Sequence, residues 1–133
     1  MTTKQTVDLE FLINATPNIV YQRLSTAHGL SEWFADDVNT DGNVFTFVWD
    51  DDTKRAEMIE HQRNKMVCFR WLDEEDNSHD DRYLTFKLDR DEVTNSLSLR
   101  VMEDLSHDDE EQNYAMQLWE QQIGTLKHVL GAL

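Results

Sequence analysis

The chain of 133 residues holds one cysteine, one proline and four glycines, and each scarcity excludes something. A lone thiol, Cys68, cannot form an internal disulfide, so an apolar core has to supply the stability. Set between Val67 and Phe69, that thiol reads as a small buried hydrophobe rather than a nucleophile. Gly29, Gly42, Gly124 and Gly131 stand far apart and form no Gly-rich loop for a phosphate. No run of about 18 apolar residues is present to cross a bilayer, and Met1 to Asp8 lacks the hydrophobic centre of a secretion signal. The expectation is a cytoplasmic protein with no membrane insertion. Basic residues are scarce too: 12 Lys and Arg stand against 27 Asp and Glu, a net charge of -15. A phosphate backbone is bound by clustered cations, whereas these are scattered singly among carboxylates, which argues against nucleic acid and against anionic membrane surfaces.

What the chain does have is aromatic weight: four Trp, three Tyr and six Phe, too many for a disordered polyanion. A chain of this length fits one domain over residues 1–133, burying roughly 70% of its unfolded surface. Val7, Leu9, Phe11 and Ile13 alternate as in a half-buried strand. Thr16 is suited to cap a helix with Pro17 at its first position, and Val20, Tyr21 and Leu24 supply the inner face. Thr26 can cap a second short helix carrying Leu30, Trp33 and Phe34. A short strand over Asp37 to Thr40 and the turn Asp41-Gly42 lead into Phe45, Phe47 and Trp49, all on one face. A turn over Asp50 to Thr53, a strand from Arg55 to His61 and a turn over Gln62 to Asn64 follow. Strands over Met66 to Leu72, with Val67, Phe69 and Trp71 aligned, and over Arg82 to Asp89 flank residues 73–81, a solvated loop with six acids in nine positions. Leu97, Leu99 and Val101 complete seven strands.

Residues 107 to 130 then read as one amphipathic helix. Ser106 and Asp109 suit a capping box, acids crowd its start, and Lys127 and His128 sit at its end. Its apolar stripe is Ala115, Leu118, Trp119, Ile123, Leu126, Val129 and Leu130. The fold class is α+β: a curved antiparallel sheet of about seven strands wrapped on a long C-terminal helix.

Motifs for chemistry fail on inspection. Asp37 to Gly42 matches the opening of a calcium loop, but the twelfth position, which should be a bidentate Glu, is Val48. His28, His61, His79, His107 and His128 share no i, i+3 or i, i+4 spacing, and His79 with Asp80 and Asp81 reads as surface titration. No G-x-S-x-G elbow nominates a nucleophile. Neither a metal nor a cofactor is expected. Among carboxylates, Glu57, Glu60 and Glu103 lie nearest to a pocket by strand position, and each is expected to point to solvent.

The element order, with the Ala15-Thr16-Pro17 tripeptide, HGLSEWFADDV from His28 to Val38, CFRWLD from Cys68 to Asp73 and LWEQQIGTLKHVL from Leu118 to Leu130, resembles the helix-grip fold of the START-like (SRPBCC) superfamily. The resemblance is to small bacterial proteins grouped with the C-terminal domain of the heat-shock ATPase activator. It implies a space between sheet and helix that holds a small hydrophobic ligand. The residues placed to line it are Phe11, Trp33, Phe47, Met58, Phe69, Trp71, Phe86, Trp119 and Ile123. Arg70 and Arg100, the possible carboxylate anchors, are expected to point outward. Two further readings stand beside non-catalytic binding: a co-chaperone-like module with a filled core that meets a protein partner, and a cyclase-like or hydrolase-like enzyme.

Overall fold

Alternation in the sequence becomes a single antiparallel sheet. The computed structural model describes residues 5–72, 82–105 and 109–131, with the backbone alone for Gln5 and residues 109–111. Strand β1 (Gln5–Ile13) is followed by helices α1 (Pro17–Ser25) and α2 (Ala27–Ser31). Six strands come next: β2 (Asp37–Asp41), β3 (Val44–Trp49), β4 (Asp52–Gln62), β5 (Met66–Leu72), β6 (Tyr83–Arg90) and β7 (Leu97–Leu105). Helix α3 (Asp109–Val129) is the last element. The strand order is β1-β7-β6-β5-β4-β3-β2, so the first strand closes against the last. The seven strands and two short helices agree with the sequence reading.

One face of the sheet is apolar along nearly its whole width. Val7 and Ile13 of β1, Phe45 and Phe47 of β3, Ala56 of β4, Val67 and Phe69 of β5, Leu84 and Phe86 of β6, and Leu99 and Val101 of β7 are buried there. Helix α3 sets Ala115, Trp119, Ile123 and Leu126 against that face, while α1 and α2 add Val20, Leu24, Leu30 and Trp33. At about 25 cal/mol per Å² of apolar surface, this burial is the main stabilising term. Leu118, expected in the helix stripe, is 38% exposed. It precedes Trp119 by one residue and so lies about 100° round the helix from it.

Several boundaries differ from expectation. The turn anticipated over Asp50 to Thr53 shrinks to Asp50-Asp51, because β3 and β4 stay paired out to Trp49 and Asp52. Strand β4 therefore starts at Asp52, not Arg55, and a register shift between Met58 and Glu60 absorbs one extra residue. That bulge lets both Glu57 and Glu60 face outward although one is odd and the other even in the strand. The strand expected at Arg82 to Asp89 runs one residue later. Gly42 takes φ +61° at the first position of the Gly42-Asn43 hairpin, the demand of a type II′ connection. The calcium-like motif is thus a strand and its turn.

Helix ends are handled unequally. Thr16 occupies the N-cap of α1, yet its hydroxyl makes no capping bond, so Pro17 with its fixed φ sets that start. Thr26 caps α2 as expected: its Oγ1 accepts from the Gly29 amide at 2.9 Å and donates to the Gln22 carbonyl at 2.8 Å. The backbones of α1 and α2 meet so closely there that a Cβ on Gly29 would lie 2.3 Å from the Gln22 oxygen. Ser106 and the start of α3 expected at residue 107 lie outside the described residues, as does the acidic segment 73–81 with His79.

A candidate cleft between sheet and helix

The apolar face turns polar at one end. Lys54 shares its side of β4 with Ala56 and Met58, pairing with Phe47, and Asp52 pairs with Trp49 on the same side. On β7, Glu103 stands between Val101 and Leu105 and shares their face, not the solvent face expected for it; alternation alone requires this. Above these groups the first half of α3 presents Tyr114, Ala115 and Leu118. Together with Trp71, Leu72, Arg55, Arg82, Asp104 and Leu105 they bound a cleft of about 820 Å³.

Each lining carboxylate already accepts a hydrogen bond from the protein. The Trp119 indole Nε1 donates to Glu103 Oε1 at 2.9 Å. Asp104 accepts from the Thr6 hydroxyl at 3.0 Å and from the Tyr83 amide at 3.1 Å. Asp52 accepts from the Thr53 amide at 2.9 Å. The Lys54 ammonium, by contrast, makes no ion pair among the described residues and lies 5.7 Å from the centre of the Trp71 ring. A cation over an indole face is held by the ring quadrupole.

Of the nine residues placed at the site from sequence, Trp33, Phe47, Phe69, Phe86, Trp119 and Ile123 are buried. The five aromatics among them join one network with Phe34 and Phe45, with ring centres 5.0 to 6.4 Å apart and mostly edge to face. Phe11 and Met58 are half-buried against this core. Trp71 alone of the nine lines the cleft, with its ring 5.9 Å from Phe47. Lys54, Glu103, Leu105, Tyr114 and Leu118 were not anticipated there, although strand parity carried the signal for Lys54 and Glu103.

The outward groups pair among themselves. Arg100 grips Asp8 through two contacts, Nε to Oδ1 at 2.8 Å and Nη2 to Oδ2 at 2.6 Å, and holds the Asp8 carboxyl below its usual range. Arg70 reaches Glu57 at 3.4 Å. Both arginines thus point out, as expected. Cys68 is buried on this same outer face, with the Thr85 hydroxyl 3.3 Å from its sulfur.

A seven-stranded antiparallel sheet gripping a C-terminal helix defines the helix-grip class. The chain belongs to the START-like superfamily, whose domain model matches residues 1–132. Its structure is similar to the solution structure of the Aha1 dimer from Colwellia psychrerythraea, with TM-score 0.83, 22% identity and coverage of 95% of this chain and 96% of that one. BfR322 from Bacteroides fragilis is 29% identical, with TM-score 0.62 and coverage of 97% and 92%. The AHSA1 protein from Silicibacter pomeroyi gives TM-score 0.71 at 16% identity, with coverage of 96% and 98%. No curated protein sequence matches the chain. Among the described residues, no helix is long and apolar enough to cross a membrane.

Proposed function

We propose that this protein binds a small hydrophobic molecule, without altering it chemically, in the cleft between the sheet and the first half of α3, and that it does so in the cytoplasm with no cofactor. The observation that carries this reading is the cleft, whose 820 Å³ lies within the range of about 300–1,000 Å³ common to small-molecule sites. Its apolar surface comes from Trp71, Leu72, Leu105, Ala115 and Leu118, with Tyr114 at the rim. Trp71 makes the direct contact, and the packed rings of Phe47, Phe69, Phe86, Trp33 and Trp119, together with Phe11, Met58 and Ile123, form the wall behind it. A wall that is already ordered loses little entropy when a ligand docks.

Native mass spectrometry of gently purified protein, followed by thermal shift against a library of lipids and aromatic compounds, tests the reading. A bound species or a raised melting temperature is expected, and Leu118→Asp, which sets a negative charge on the apolar side of the cleft, should abolish it. Absence of any bound molecule and of any shift overturns the reading. A second reading, a co-chaperone-like interaction module with a filled core, draws support from the closed aromatic network and from Tyr114, 66% exposed on α3. It requires that the purified protein change the ATPase rate of a cognate heat-shock chaperone, and an unchanged rate removes it.

A further inference from the structure

From the placement of Lys54 we infer that the ligand of the cleft is an amphiphile with an anionic head, its carboxylate meeting the Lys54 ammonium and its apolar body lying along Leu105, Ala115 and Leu118 beside Trp71. This rests on the cleft being a ligand site and adds the chemical class of the ligand.

The argument begins with position. On β4 the alternation that buries Ala56 and turns Met58 to the core also turns Lys54 to that side, opposite Phe47. A solvated lysine at a strand end normally serves equally well on the outer face, where its ammonium is fully hydrated. Here it stands on the ligand side, held over Trp71 at 5.7 Å. The indole face holds the ammonium itself, whose N–H donors stay available to another acceptor.

Charge balance at the cleft points the same way. Across the whole chain acids exceed bases 27 to 12, yet among the described residues the lining holds Lys54, Arg55 and Arg82 against Asp52, Glu103 and Asp104, an even count. Those three carboxylates are already engaged by the Thr53 amide, the Trp119 indole, and the Thr6 hydroxyl with the Tyr83 amide. Lys54 has no carboxylate partner among the described residues. A ligand carboxylate would supply one, in a charge-assisted hydrogen bond at the exposed end of the cleft. The net charge of -15 repels anions at long range, but salt screens that field within about 8 Å at physiological ionic strength. Contact with Lys54 acts inside that distance.

Isothermal titration calorimetry with decanoate and with decanol, at physiological ionic strength, separates head from tail. Both probes should bind the parent protein. Lys54→Gln should weaken decanoate roughly two- to five-fold and leave decanol unchanged, the size expected of a charge contact made by an exposed side chain. Lys54→Arg should restore most of the decanoate affinity. If Lys54→Gln leaves decanoate binding as it was, or weakens decanol to the same degree, the anionic head is wrong while the cleft remains a ligand site. If neither probe binds the parent, both this inference and the cleft reading fall.

Discussion

The indole Nε1 of Trp119 on α3 donates to Oε1 of Glu103 on β7 across 2.9 Å, a polar tie between the helix and the sheet it covers. The Trp119 ring also stacks on Phe34 at 5.6 Å and meets Phe86 edge-on at 5.7 Å, so packing and hydrogen bonding can be separated by substitution. Trp119→Phe keeps a ring in the network and leaves Glu103 without this donor. Its cost should be about 1–2 kcal/mol, the lower part of the range for bonds to charged groups because Glu103 is half-exposed. Trp119→Ala adds a cavity and should cost about 3–5 kcal/mol. Urea denaturation measures both. Unchanged stability in Trp119→Phe would dismiss the hydrogen bond as a stabilising contact.

How much of this was legible in sequence depends on which rule decided each residue. Strands β5 and β7 announced themselves because Val67, Phe69 and Trp71, and Leu97, Leu99 and Val101, keep strict period two where one face is buried. The aromatic wall could be listed from those runs. The polar end of the cleft was missed because Asp50 to Lys54 is so rich in charge and turn formers that it resembles a loop, whereas the ladder to β3 keeps Asp52, Thr53 and Lys54 in the strand. Glu103 is expected at solvent on a strand register that its parity with Val101 and Leu105 does not allow. The two contributions of α3, Tyr114 and Leu118, depend on how the helix rolls on the sheet, and periodicity gives only the stripe, not its edges.

Two glycines in helices should respond in opposite senses to alanine. At Gly29 the new Cβ would lie 2.3 Å from the Gln22 carbonyl oxygen and 2.7 Å from the Arg23 Cα, both backbone atoms that cannot swing aside. Gly29→Ala should therefore cost about 3 kcal/mol or more, as α2 is pushed off α1. Gly124 is exposed on α3 and a Cβ there meets nothing within 4 Å. Gly124→Ala should gain about 0.5–1 kcal/mol through helix propensity and a stiffer unfolded chain. Thermal unfolding of the two variants in parallel checks the pair, and a stable Gly29→Ala protein would contradict the close approach.

The Phe34 carbonyl accepts twice, from the Trp49 indole at 2.8 Å and from Gln122 Nε2 at 3.1 Å, joining β3 and α3 to the segment between α2 and β2. Loss of either donor leaves the oxygen with the other. Gln122→Ala and Trp49→Phe should each cost about 1 kcal/mol from this contact. The double variant strips the carbonyl of both donors and should cost more than the sum, by about 0.5–1 kcal/mol. A strictly additive cycle would mean that water replaces the lost donors without penalty.

Asp8 and Arg100 form the outward pair with the best geometry, and their pH behaviour has a definite sign. The hydrogen bonds from Arg100 are the main reason the Asp8 carboxyl sits below its usual range, with desolvation opposing them and the guanidinium's charge adding a smaller lowering. Folded Asp8 therefore holds a proton less readily than in the unfolded chain, where the value is about 3.9. As pH falls through that region, the unfolded state takes up its proton first, so the pair's contribution is present above it and fades as the lowered folded value is passed. Both side chains are about half-exposed, at 44% and 50%, so the effect on stability should be small and should shrink further in high salt. NMR titration of the Asp8 carboxyl is the direct measurement. In Arg100→Gln its midpoint should rise toward the ordinary aspartate value, and the variant's stability should depend less on pH between about 5 and 2 than the parent's. A midpoint that stays low without Arg100 would assign the shift to another donor and remove the pair from the account of acid sensitivity.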